Sequence, residues 1–185
     1  MASTQDLDVV DLLEQQHEHI RSLISDVEST ADTAHRQQKF EELRRFLAVH
    51  ETAEELVTHP RARIAEGGND VVDARLEEET ASKKMLADLD GMKVDDPAFD
   101  GKFATLKSAV LDHAAAEERE EFPLLREDND KAMLERMATA VRAAEAIAPT
   151  HPHPSVGSSM TTNLMAGPLA SVIDRTRDAV KKALG

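Results

Sequence analysis

The 185-residue chain contains no cysteine, no tryptophan and no tyrosine. The absence of cysteine excludes disulfides, thiolate metal sites, iron–sulfur clusters and cysteine nucleophiles. With five phenylalanines as its only aromatics, the chain offers few side chains on which the bases of single-stranded nucleic acid could stack. The chemistry that remains open to it is that of imidazole, carboxylate and hydroxyl groups.

Positive charge is also scarce, with 22 Lys+Arg against 36 Asp+Glu and a formal net charge of −14. Nucleic acids and anionic membranes bind cationic surfaces, so we expect neither as a partner. No stretch approaches the roughly 18 apolar residues of a membrane span. The first eleven residues carry three acidic groups and no apolar run, which is unlike a signal peptide. We therefore expect a cytoplasmic protein.

Apolar residues recur at spacings of three and four along most of the chain, and no segment shows the period of two of a strand. The pattern predicts four long amphipathic helices, at about 6–29, 34–57, 70–89 and 97–125. A fifth helical run at about 131–147 is expected to continue the fourth helix with a bend. Four such helices with short breaks between them predict an all-α, antiparallel up-and-down four-helix bundle.

The composition changes after the bundle, which we assign to residues 1–148. Residues 149–163 are rich in Pro, His, Ser, Thr and Gly and predict a loop. Residues 164–185 carry a last amphipathic segment, which we expect to dock on the bundle as an extra helix. Because that helix could replace a subunit contact, we expect a monomer.

Six polar residues occupy positions at which the apolar stripes of the helices would otherwise carry Leu or Val. A buried carboxylate costs several kcal/mol unless it is protonated, paired or metal-bound. The stripes themselves carry no Lys or Arg, so we expect a bound cation to keep the buried carboxylates ionised. The six residues are His17, His50, Glu54, Glu79, His113 and Glu117.

Two of these sites repeat each other. His50 and Glu54 lie one helical turn apart, so their side chains leave the same face of a helix, and His113 and Glu117 are spaced in the same way. The eleven-residue windows that begin at the two histidines match at His, Ala, Glu, Glu and Pro. Each pair is therefore expected to contribute one imidazole and one carboxylate from the second helix of a hairpin.

His17 and Glu79 precede the two pairs by 33 and 34 residues and would supply one ligand each from the first helices of the hairpins. Six nitrogen and oxygen ligands suit two ions about 3.5–4 Å apart, with glutamates as bridges. Ligands of this kind without sulfur favour iron or manganese, with zinc as a further alternative.

The order His-x-x-x-Glu resembles the haemerythrin-like, or HHE cation-binding, family. The segment 11–20 around His17 is similar to the first-helix histidine of that family, and the two His-x-x-x-Glu-Glu…Pro windows are similar to its second and fourth helices. The resemblance covers roughly residues 6–147. The sequence that follows, with its Pro-flanked histidines and closing helix, looks like the longer actinobacterial haemerythrin-like proteins.

The resemblance implies two iron ions joined by an oxo or hydroxo bridge, held by the six residues named above, with Glu54 and Glu117 as the bridging carboxylates. It implies reaction with a small oxidant, namely hydrogen peroxide, oxygen or nitric oxide, and above all a catalase-like removal of peroxide. His153, in the 149–163 loop, is the candidate for proton transfer or for a hydrogen bond to the site. The alternative for His153 is an exposed loop residue.

The third helix departs from the family, which usually places a histidine there. This chain offers Glu79, or Glu78 as the one-residue alternative. The added negative charge should stabilise oxidised iron, which disfavours reversible oxygen carriage and favours redox turnover. Two other functions stay open at this point: a non-catalytic protein that binds or senses iron or oxygen, and a helical scaffold without metal.

Two glutamates next to the candidate ligands have two interpretations each, and three further histidines are expected to have no role in the site. Glu51 and Glu118 either accept a hydrogen bond from a ligand histidine or lie on a solvated face. His19, His35 and His59 fall off the apolar stripes, and we expect them at the surface.

Overall fold

A computed structural model describes residues 7–148, 178 and 180–184. This part of the chain is helical and contains no strand. None of its helices combines the length and apolar character that a membrane crossing requires. The elements are α1 (Val9–Ser29), α2 (Thr33–Ala62), α3 (Gly68–Leu89), α4 (Phe99–Ala116), a π-helical turn (Glu117–Glu121), α5 (Phe122–Asp128) and α6 (Lys131–Glu145).

Side-chain caps and one close approach fix where the helices begin. Asp8, Asp32 and Asp130 each accept a hydrogen bond from the backbone N–H three residues on, at the starts of α1, α2 and α6. Gly68 opens α3 so close to α2 that a Cβ atom there would lie 2.0 Å from the carbonyl oxygen of Ala62. These features mark the starts of α1, α2, α3 and α6.

The bundle consists of two helical hairpins, as the sequence predicts. α1 packs against α2, and α3 packs against α4. The hairpins meet through contacts of α2 with α3 and of α1 with α4. α4, the π-helical turn and α5 follow one another directly and together form the fourth helix of the bundle. The all-α four-helix fold predicted from the hydropathy pattern is confirmed.

Two helix boundaries differ from prediction. α2 continues beyond the predicted end at residue 57, through Pro60 to Ala62, and Pro60 itself is exposed. The expected continuation of the fourth helix into the fifth run is wrong: Asn129 is extended (φ −133°, ψ 139°) and ends α5. α6 then begins anew at the Asp130 cap and packs against α1 and α2.

The apolar core lies in two clusters, with the six polar residues of the stripes between them. Along α1, for example, Leu13 belongs to one cluster, Ile20 to the other, and His17 stands between them. The α6 cluster includes Val9, Leu13, Val57, Val72, Leu125, Met137 and Val141. The phenylalanine cluster includes Ile20, Leu43, Leu86, Phe40, Phe99, Phe103 and Leu106.

The closing segment of the chain contacts the α6 cluster. Residues 178 and 180–184 are helical, Val180 is buried, and Ala183 and Leu184 pack against the same cluster. The extra C-terminal helix of the predicted fold is thus confirmed, and the rest of the 164–185 segment lies outside the described residues. The predicted loop at 149–163, with His153, lies outside the described residues.

We predict that Phe40→Ala destabilises the protein by about 3–5 kcal/mol, the usual cost of emptying a packed aromatic site. Phe40 is 1% exposed and meets Phe99 edge-to-face at 5.1 Å between ring centroids. The measurement is urea unfolding followed by circular dichroism. Ile64, 72% exposed, gives the control Ile64→Ala, which should change stability by less than about 0.5 kcal/mol. Equal effects of the two variants would contradict the described core.

Candidate metal centre

The polar layer brings all six predicted residues together. They come from α1, α2, α3, α4 and the π-helical turn, and none is more than 7% exposed. Their ligand atoms form two overlapping sets, and within each set the atoms lie within 4.8 Å of one another. The first set is His17, His50, Glu54 and Glu117, and the second is Glu54, Glu79, His113 and Glu117. The two glutamates shared by both sets are those expected to bridge.

The Nε2 atoms of the three imidazoles face these central carboxylates. His17 Nε2 lies 3.3 Å from Glu117 Oε2, and His113 Nε2 lies 3.3 Å from the other oxygen of the same carboxylate. His50 Nε2 lies 3.3 Å from Glu54 Oε2. Two ligands of one ion, each about 2.1 Å from it and at right angles, stand about 3 Å apart, so these separations suit a shared cation.

The Nδ1 atoms of the same imidazoles point outward to hydrogen-bond acceptors. A metal-binding histidine typically donates its second ring N–H to a carboxylate or carbonyl oxygen, which fixes its tautomer and aims the free nitrogen at the metal. The three contacts are His17 Nδ1–Glu118 Oε1 at 2.8 Å, His50 Nδ1–Gln16 Oε1 at 2.7 Å and His113 Nδ1–Glu78 Oε2 at 3.0 Å.

These contacts decide several open interpretations. Glu118 accepts a hydrogen bond from His17, a candidate ligand, as in the first of its two alternatives. Glu51 is buried and lies 3.7 Å from the ammonium of Lys83, so it belongs to neither. Glu79 is 1% exposed and faces the centre, whereas Glu78 contacts the outer nitrogen of His113. The structure thus places Glu79, and not its neighbour, among the candidate ligands.

Buried atoms without partners mark the place that a cation would fill. Both carboxylate oxygens of Glu54 and of Glu117 are buried and have no hydrogen-bond partner among the described residues, and the same holds for Nε2 of His17 and of His113. Native proteins leave few buried polar atoms unpaired, because each one costs free energy. These six unpaired atoms converge on one space, and all six are of metal-ligand types. The residues therefore fit a bound metal.

A π-helical turn presents the second His/Glu pair. The N–H of Phe122 donates to the carbonyl of Glu117, five residues back. Pro123 follows, and a proline ring conflicts with regular helical bonding four residues before it. Single π turns of this kind recur at functional sites. Within this turn, the carboxylates of Glu117 and Glu118 lie close to opposite ring nitrogens of His17, Nε2 and Nδ1 respectively.

Burial and neighbouring charges shift the pKa values of the two central carboxyl groups, Glu54 and Glu117, in opposite directions. Burial, together with the neighbouring charge of Glu117, holds the pKa of Glu54 well above its usual value. Burial also opposes ionisation of Glu117, but the adjacent His113 and His17 outweigh it and hold that pKa well below its usual value. Burial and the nearby His17 lower the pKa of His50 to about 3, which leaves this imidazole neutral and able to bind a metal.

A buried cation at the polar layer was missed, and it pairs with Glu79, one of the carboxylates for which the sequence predicts a bound cation instead. Lys83 is 8% exposed, and its ammonium lies 2.9 Å from Glu79 Oε2 and also contacts Glu55. The long side chain reaches the polar layer although its helix position lies off the apolar stripe. Burial opposes ionisation of Glu79, but His59 and Lys83 prevail and lower the pKa of that carboxyl.

His59 was also misplaced, since it is 2% exposed and not at the surface. Its Nε2 lies 2.5 Å from Glu79 Oε1, and its Nδ1 lies 2.8 Å from Glu121 Oε1. Burial alone would lower the pKa of His59, but the two carboxylates raise it well above its usual value. His19 and His35 are exposed, as expected.

The chain is similar to known proteins along most of its length. The model of the Hemerythrin HHE cation binding domain family matches residues 8–125. A DNA nickase of Nostoc sp. is 26% identical over 141 residues, which are 76% of this chain and 40% of that protein. An uncharacterized hemerythrin-like protein of Schizosaccharomyces pombe is 28% identical over 138 residues, 74% of this chain and 68% of that one.

A solved structure shares the fold. It is the crystal structure of a hemerythrin HHE cation binding domain-containing protein from Mycobacterium kansasii, with a TM-score of 0.67 and 18% sequence identity. The similarity covers 96% of this chain and 99% of that one. With the family match over residues 8–125 and the buried His/Glu sets in place, the chain belongs to the haemerythrin-like, HHE cation-binding family.

Proposed function

We propose that the protein holds two iron ions between its hairpins and removes hydrogen peroxide there. One observation carries the proposal: two sets of four buried ligand residues share Glu54 and Glu117, and the unpaired atoms of both sets face one another. A single ion would not use three imidazoles and three carboxylates, whereas two ions bridged by carboxylates would.

The donor set supports iron as the metal. All six candidate ligands offer nitrogen or oxygen, and three of them are imidazoles, a ligand that suits iron, zinc and copper better than magnesium or calcium. Manganese and zinc are the alternatives. When bound, a pair of iron ions would supply the electron transfer by which one peroxide is reduced to two waters while a second is oxidised to dioxygen and releases two protons and two electrons.

The protein's own part is to orient the ligands and to limit what reaches them. The outer hydrogen bonds of His17, His50 and His113 fix each ring with Nε2 toward the centre. The apolar clusters on either side keep bulk water away. A centre this enclosed admits small molecules, and peroxide, oxygen and nitric oxide are the oxidants of that size. His153 is our candidate for moving a proton at such a centre.

The nickase relative does not favour DNA as a substrate. The match spans 40% of that protein, and the net charge of −14 opposes binding to a phosphate backbone. Iron or oxygen binding without turnover is the alternative that the experiments below would reveal.

We predict that protein purified from iron-supplied cells contains about two iron ions per chain and absorbs in the near ultraviolet through oxo-to-iron transitions. The protein background there is low because the chain lacks Tyr and Trp. His50→Ala should lose the absorption and at least half of the iron. The exposed histidine of the same helix gives the control His35→Ala, which should keep both. A wild-type protein free of iron and manganese would refute the proposal.

We predict that the wild-type protein releases oxygen from hydrogen peroxide and that Glu117→Gln lowers the rate at least about tenfold. Loss of one charged oxygen from a bridge weakens both metal positions, and even residues that only support metal ligands matter by about 10–100-fold. An oxygen electrode gives the rate. Glu77→Gln, at an exposed position of α3, is the control and should leave the rate unchanged. Iron binding without oxygen release would favour the non-catalytic alternative.

A further inference from the structure

The two hairpins repeat each other around the polar layer, and the repetition assigns each residue a counterpart. His17 of α1 corresponds to Glu79 of α3. The windows that begin at His50 and His113 pair His59 with Phe122, since each of these lies nine residues after its window's first histidine. The counterparts occupy equivalent places in the fold but differ in chemistry.

In the first half of the polar layer, which is the half that contains His17, an imidazole packs on an apolar ring. The ring of Phe122 stacks on that of His17 with 5.5 Å between centroids and an interplanar angle of 17°. A phenyl ring offers no hydrogen bond, and His17 needs none from it, because its Nδ1 already contacts Glu118 at 2.8 Å.

In the second half, the same contact joins a carboxylate and an imidazole. His59 takes the place of Phe122 and Glu79 that of His17, and their atoms meet at 2.5 Å. The other nitrogen of His59 faces Glu121 at 2.8 Å. Glu121 corresponds to Thr58, the residue before His59. The two halves of the polar layer therefore differ at a third position as well.

The spacing of these atoms separates His59 from the candidate ligands. The inward imidazole nitrogens lie 3.3 Å from the central carboxylates and make no bridging hydrogen bond to them. The contacts of His59, at 2.5 and 2.8 Å, are hydrogen bonds. His59, Glu117 and Glu121 could together hold an ion. The described contacts of His59, however, are hydrogen bonds that hold Glu79 in place, and Glu79 is a candidate ligand.

Lys83 completes the difference between the halves. It corresponds to Arg21, which contacts Glu118 at 2.9 Å and is about a third exposed. Lys83 contacts Glu55, the counterpart of Glu118, and in addition Glu79 Oε2 at 2.9 Å. Both oxygens of Glu79 are thus held by side chains of the protein, one by His59 and the other by Lys83.

We propose that His59 is a positioning residue for the metal position that includes Glu79, the second of the two ligand sets. In this proposal Glu79, His59 and Glu121 act as one exchangeable unit. Its counterpart in the other half of the polar layer is His17, Phe122 and Thr58. The carboxylate is usable as a ligand on α3 because His59 fixes it, whereas an imidazole at that place would pair with a phenyl ring. The inference rests on the proposed function in so far as it concerns a metal position.

The test exchanges the unit. We predict that His59→Phe lowers the iron content from about two to about one per chain, and that Glu79→His, which sets imidazole against imidazole, does the same. The triple variant Glu79→His, His59→Phe, Glu121→Thr copies the first half and should recover about two. Elemental analysis gives the iron content. In the metal-free proteins, the single variants should melt several degrees lower than wild type, and the triple variant should regain most of that loss.

An exposed histidine of the same helix gives the control for both readouts. His35→Phe should alter neither the iron content nor the melting temperature. Full iron content in His59→Phe would overturn the inference, and so would a triple variant that holds no more iron than His59→Phe, because the three residues would then not be exchangeable as a unit. If the wild-type protein bound no iron, the proposed function would fail, while the melting temperatures would still show whether the three residues act as a unit.

Discussion

The structure depends on the burial of carboxylates in the middle of a helical bundle. Glu54, Glu79 and Glu117 are each no more than 1% exposed, and an ionised carboxylate removed from water costs several kcal/mol unless a positive partner repays it. For Glu79 the chain supplies partners in Lys83 and His59. For the two central glutamates, no described residue supplies a hydrogen-bond donor. The three carboxylates therefore differ: side chains of the protein hold Glu79 in place as a candidate ligand, whereas the oxygens of Glu54 and Glu117 are left for a cation.

The position of this polar layer follows from the two apolar clusters. Each helix of the bundle contributes apolar residues to both clusters and polar residues between them. The clusters can stabilise the fold at both ends, so the chain tolerates a costly layer between them. The short outer hydrogen bonds of the three histidines then fix the ring orientations without a metal. A centre built in this way is pre-organised, since little has to move when an ion enters.

The sequence predicts the six central residues because hydropathy reveals them. A His or Glu at a position that the helical period assigns to Leu is visible in one dimension, and the repeated His-x-x-x-Glu spacing links the pairs. His59 escapes this reasoning because the stripe assumes that a helix buries one face. α2 packs against α1, α3, α5 and α6, so a residue off the stripe is also enclosed. Lys83 and Gln16 escape for a related reason, since the reach of a long side chain has no period. The break at Asn129 depends on one extended residue, which the polar run around it did not distinguish from a bend.

Access to the centre is governed by where its polar groups meet water. The inner atoms of the site are dry, but the acceptors of the outer hydrogen bonds lie at the rim: Glu118 is 31% and Glu78 is 40% exposed. Each of these carboxylates also contacts an arginine, Arg21 and Arg75 respectively. Charge pairs at a partly solvated surface are weak and open readily. Under the proposed function, a small polar oxidant or a proton would pass beside these pairs and the candidate ligand histidines, because the apolar clusters lie on either side of the polar layer in the described part of the chain.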